Sequence, residues 1–117
     1  MLAPALRSLT ELYPALPARQ RRRLVETAQS YLVDLDRAIQ QVLAPSLART
    51  GDEFMVSDEV IPLYGVGTTP QEAMADYRSV LVEYYESLEA DKEELGEGLR
   101  KQLKVLHGVF DLAERGA

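Results

Sequence analysis

The stretch from Tyr64 to Leu88 constrains the fold of this 117-residue chain more than any other, because a short apolar run passes through Gly67-Thr68-Thr69-Pro70-Gln71-Glu72-Ala73 into a long periodic segment. Thr69 can cap a helix with its hydroxyl, Pro70 suits a first helical position where no N–H is needed, and Glu72 completes a Thr-x-x-Glu capping box. Downstream, Ala73, Met74, Tyr77, Val80, Leu81, Tyr84, Tyr85 and Leu88 recur at helical spacing. Such a broad apolar face must be buried against another layer. The preceding strands are the expected partner, and Gly65 and Gly67 mark where backbones can approach closely.

The remaining chain is read around this junction. Residues 1–17 contain Pro4, Pro14 and Pro17 and are expected to form at most one or two helical turns. A helix should begin near Pro17 or Ala18, carry Leu24, Val25, Ala28, Tyr31, Leu32 and Leu35 on one face, and end between Asp34 and Arg37. Residues 38–50 can extend it, but Pro45 opposes that extension, and Val42, Leu43 and Leu47 before Thr50-Gly51-Asp52 favour a strand entering a turn. Further strands are expected over Glu53 to Ser57 and over Val60 to Val66, with a turn at Asp58-Glu59. Pro62 would place the last of these at an edge or point its donor-free side outward. After an acidic segment punctuated by Gly96 and Gly98, Leu99, Leu103, Leu106, Phe110 and Ala113 outline a final helix, in which Gly108 costs about 1 kcal/mol relative to alanine. The expectation is an α+β chain: a helical arm over 1–37, and a domain over 38–117 with a three-stranded antiparallel sheet, a long helix across it and a C-terminal helix.

Charge is divided unevenly. Residues 1–50 carry seven arginines against four acids, whereas residues 51–117 carry fifteen acids against six basic residues, for a net −6 overall. The acidic half disfavours non-specific nucleic-acid binding and favours a basic partner. Arg19, Arg21, Arg22 and Arg23 form the one pointed basic cluster. Positive charge in a first helical turn opposes the helix dipole, so it calls for pairing with acids or contact with phosphate. The chain has no cysteine, which removes thiolate chemistry and disulfides, and one histidine, which makes a zinc site poor in ligands. His107 has no acid or nucleophile at interpretable spacing and is read as a packing residue, since a general base needs a positioned partner. Asp52, Glu53, Asp58 and Glu59 fall in turns, and Glu72, Asp76, Glu83 and Glu86 fall on a solvated helix face. No cofactor or metal is expected. The Gly65 to Thr69 turn lacks the lysine ending of a phosphate-binding loop. No apolar run is long enough to span a bilayer and Met1-Leu2-Ala3-Pro4 does not open a secretion signal, so a cytoplasmic protein without a membrane partner is expected.

Leu63-Tyr64-Gly65-Val66-Gly67-Thr68-Thr69-Pro70-Gln71-Glu72-Ala73 resembles the strand-to-helix signature of HicB-like antitoxin domains. The likeness extends through Tyr77 to Leu88 and Leu95-Gly96-Glu97-Gly98-Leu99-Arg100-Lys101-Gln102-Leu103, and it covers roughly residues 40–107. The resemblance implies a partial ribonuclease-H-like fold without a catalytic centre, and a small basic RNA-cleaving toxin as partner. Two departures stand out: no fourth strand is evident after Leu88, and no ribbon-helix-helix or helix-turn-helix segment follows. On this reading Tyr85, Glu86, Glu89 and Glu93 are the expected partner-binding residues. Homo-oligomerisation, with a dimer as the expected state, and nucleic-acid binding through the arginine cluster are the alternative functions.

Overall fold

The computed structural model describes the backbone of residues 18–116 and the side chains of residues 28–116. Helix α1 (Ala18–Val42) leads into strands β1 (Ser46–Thr50), β2 (Glu53–Ser57) and β3 (Tyr64–Gly67), and these are followed by α2 (Pro70–Ala90), a 3₁₀ turn (Lys92–Glu94) and α3 (Glu97–Glu114). The strands form one antiparallel sheet in the order β1-β2-β3. The architecture is α+β. The expected turns in residues 1–17 lie outside the described residues.

The junction is built much as its residues dictate. Thr69 has extended backbone angles and its Oγ1 accepts the Glu72 N–H at 3.1 Å. The returning carboxylate reaches one residue further back than in an ideal box, accepting the Thr68 N–H at 2.9 Å and also the Thr68 hydroxyl. From this fixed start α2 buries Ala73, Tyr77, Leu81, Tyr85 and Leu88. The helix rests directly on glycine backbone. A Cβ built on Gly65 would lie 2.1 Å from the Tyr77 nitrogen and 2.4 Å from the Ala73 carbonyl oxygen, and one on Gly67 would lie 2.5 Å from the Ala73 nitrogen.

Two boundaries differ from the sequence reading. Helix α1 continues to Val42 rather than ending between Asp34 and Arg37, and Val42 and Leu43 are not strand residues. The reason is burial: Leu35, Ala38 and Ile39 are almost wholly inaccessible, so the helical face pays its way beyond Arg37. Ala44 then adopts a left-handed conformation with φ 44°, and Pro45 stops any continuation. A non-glycine residue there carries a steric cost of about 1 kcal/mol. Ala44→Gly is therefore expected to raise the chemical denaturation midpoint, by about 0.5–1 kcal/mol, and a lowered midpoint would contradict this account of the helix end.

The third strand also begins later than expected, at Tyr64 instead of Val60. Asp58 redirects the intervening chain, with Oδ1 accepting both the Val60 and Ile61 N–H groups at 2.7 Å. Ile61 is thereby driven into the core, and Pro62 lies outside the ladder where its missing donor costs nothing. The other Asp58 oxygen accepts the hydroxyl of Tyr77, tying this loop to α2.

Helices α1 and α3 pack extensively on each other, and α2 touches both the sheet and α3. Arg78 of α2 donates through Nη1 to both Asp36 oxygens of α1, at 2.8 and 2.9 Å. On α3 the buried face is Leu103, Leu106, Val109, Phe110 and Ala113. Leu99, expected on that face, is 41 % exposed because it lies within the first turn of α3, before the face closes on its neighbours.

Candidate protein-binding surface

The sheet has two unlike faces. Residues opposite one another in antiparallel strands share a face, so Leu47, Arg49, Phe54, Val56, Gly65 and Gly67 lie towards α2, while Ala48, Met55, Tyr64 and Val66 lie on the other side. Helix α2 packs chiefly over β3 and β2. All five residues of β1 are exposed, including Leu47 at 52 %. Tyr64, on the far face, is 60 % exposed. An open cleft of about 190 Å³ lies beside β1, lined by Leu47, Val56, Pro70, Met74 and Gln40. Arg49 spans part of this face, its guanidinium carbon 5.9 Å from the centre of the Phe54 ring.

The two sheet edges differ in a way that follows from local chemistry. At β3 the Val66 N–H points outward and donates to Asp76 Oδ2 of α2 at 2.9 Å, so a carboxylate already occupies that edge. No described residue plays this part at β1. A free edge offers unpaired backbone donors and acceptors to an incoming chain.

The acidic residues expected to meet a partner are distributed differently from the sequence reading. Glu93 is exposed in the 3₁₀ turn, whereas Glu86 and Glu89 are half-buried on α2. Tyr85 is 1 % exposed and belongs to the buried face of α2. It stacks on Phe110 with ring centres 4.4 Å apart, and the His107 ring meets it edge-on at 5.5 Å. Burial, then the neighbouring Glu89 charge, raises the Tyr85 hydroxyl well above its ordinary pKa. The side chains of Arg19, Arg21, Arg22 and Arg23 lie outside the described residues.

His107 has a partner that sequence spacing did not reveal: its Nε2 contacts Glu89 Oε1 across the α2–α3 interface. The two residues are eighteen positions apart on different helices, so no local pattern signals the contact. This hydrogen bond, ahead of the other influences, holds the Glu89 carboxyl below the usual carboxylate range. Glu72 is lowered too, chiefly by the Thr68 hydroxyl. A carboxylate with a depressed folded pKa lends stability that is present above its unfolded value and lost as pH falls through the folded one. Chemical denaturation midpoints should therefore drop as pH falls below about 4.5, and Glu89→Gln should shrink that drop. An unchanged acid profile in the variant would show that the Glu89 pairing is energetically silent.

Among the described residues, no group of three or more His, Asp or Glu side chains converges to hold a metal ion, and no helix is long and apolar enough to cross a membrane. Comparison with protein-family models, curated proteins and solved structures yields no match.

Proposed function

We propose that this chain is a non-catalytic, cytoplasmic protein-binding module of the HicB-like antitoxin kind, whose acidic domain covers a small basic RNA-cleaving toxin. The observation that carries the reading is the order of elements at the junction: three antiparallel strands lead into α2, which lies on Gly65 and Gly67 at the residues that bear the resemblance. The charge of the C-terminal half, with Glu93 exposed in the 3₁₀ turn, supplies a surface for such a partner. Complementary charge speeds encounter, and apolar contact retains the complex.

The experiment is capture of the tagged chain from its own cells, with retained proteins identified and quantified at increasing salt. A small basic protein in near-equal amount, lost progressively as salt rises, is the expected result. Glu93→Lys should weaken its retention, because Glu93 is exposed and can be reversed without disturbing the contact between α2 and α3. Retention that ignores both salt and this reversal would contradict the electrostatic part of the reading, and absence of any basic partner would contradict the whole. Self-association is a second reading, favoured by the free β1 edge. Nucleic-acid binding through Arg19 to Arg23 is the remaining alternative, tested by a salt-dependent mobility shift of labelled RNA.

A further inference from the structure

The hydrogen-bonding phase of the sheet determines which β1 groups face outward. Because the Val66 N–H points away from β2, Val66 and Met55 form a non-hydrogen-bonded pair, and Gly65–Val56 and Gly67–Phe54 are the hydrogen-bonded pairs of that ladder. Val56 and Phe54 thus turn their backbone groups to β3, while Glu53, Met55 and Ser57 turn theirs to β1. Thr50–Glu53, Ala48–Met55 and Ser46–Ser57 are then the hydrogen-bonded pairs of the β1–β2 hairpin. The hairpin turn agrees: Gly51, first of the two loop residues, has φ 64°, as a type II′ turn closed by such a pair requires. Leu47 and Arg49 are left with N–H and C=O groups pointing to the unpaired side.

We propose that this edge pairs with β1 of a second copy, antiparallel and about a two-fold axis at Ala48, making one continuous sheet across the dimer. The self-complementarity is in the register. An axis at Ala48 sets Leu47 against Arg49 of the other copy, and Arg49 against its Leu47, so every outward backbone group of the strand interior meets its counterpart. An axis at Leu47 would set Arg49 against Pro45, which has no N–H to give. An axis at Arg49 would set two like charges directly opposite each other, which is destabilising. At the favoured axis the residue is alanine, whose small side chain suits the close approach of a non-hydrogen-bonded pair.

The pairing also answers the exposure of Leu47, over which the aliphatic stem of the other copy's arginine would lie. The opposite edge cannot substitute, because Asp76 already holds its outward Val66 N–H. This pairing stands apart from toxin capture, since it is read from the oligomeric state of the purified chain and not from a recovered partner.

The chain has no cysteine, so a single introduced thiol reports the register without interference. In the non-hydrogen-bonded pair at the axis the two Cα atoms are about 4.5 Å apart, within the range of a disulfide. Ala48→Cys should form a covalent dimer nearly completely on mild oxidation, while Thr50→Cys, which would face Ser46 of the other copy, should stay largely unlinked. Arg49→Pro removes an outward donor and leaves the β1–β2 ladder intact, so it should shift the full chain from dimer to monomer in light scattering while the monomer stays folded by circular dichroism and melts independently of protein concentration. A parent chain that is monomeric at micromolar concentrations would overturn the proposal. So would equal cross-linking of the two cysteine variants, or a dimer indifferent to Arg49→Pro.

Discussion

Replacing Gly65 by alanine is expected to cost about 3 kcal/mol or more, a large part of the about 5–15 kcal/mol by which a domain of this size is stable. The new methyl group would sit 2.1 Å from the Tyr77 nitrogen and 2.4 Å from the Ala73 carbonyl oxygen. These are backbone atoms of α2, held by helical hydrogen bonds, so no side chain can swing away to make room. Relief requires lifting α2 from the sheet, which loosens Ala73 and Tyr77 in the core. At about 4–8 °C per kcal/mol the melting temperature should fall by more than about 12 °C. Gly96→Ala is the control, because a Cβ there meets nothing within 4 Å. Equal melting temperatures for the two variants would show that α2 does not rest on β3 in the way described.

Tyr85→Ala should be comparably damaging, at about 3–5 kcal/mol, because it empties a position between Phe110 and His107 in the contact of α2 with α3. Tyr85→Phe keeps the stacked ring and should cost only about 1 kcal/mol. The pair of variants separates core packing from partner contact. Packing predicts that stability follows the ring and that a captured partner binds folded Tyr85→Phe nearly as well as the parent. A variant that keeps full stability as alanine while losing its partner would return Tyr85 to the contact surface.

Much of the fold was legible because it is encoded locally. The helix start at Thr69 and Pro70, the periodic burial of α2 and the two-residue turn after Thr50 each depend on neighbours within a few positions. Residues 38–43 were harder to read, because Val42 and Leu43 suit a strand or a helix equally and Pro45 suggested an early break. Only the burial of Ala38 and Ile39 against the rest of the core decides for the helix. Asp58 looked like an ordinary turn residue, yet it organises the path from β2 to β3 and accepts from Tyr77 nineteen positions away. The contact of Glu89 with His107 is equally remote in sequence.

The surface was legible only in part. Charge totals point to an acidic C-terminal half, but they do not show that Glu89 already has a histidine beside it while Glu93 faces solvent. Nor can composition distinguish an occupied strand edge from a free one. That difference rests on a single carboxylate, Asp76, which lies ten residues from the Val66 amide it caps. It makes β1 the edge on which the proposed pairing with a second copy rests.

RNA cleavage by the captured basic protein, measured alone and then with this chain added in rising amounts, tests the proposed role most directly. The account predicts cleavage by the partner alone and its loss as the two proteins approach equal amounts, with activity returning at high salt as the complex separates. A captured partner that leaves RNA intact by itself, or one whose cleavage is unaffected by a full equivalent of this chain, would contradict the antitoxin reading.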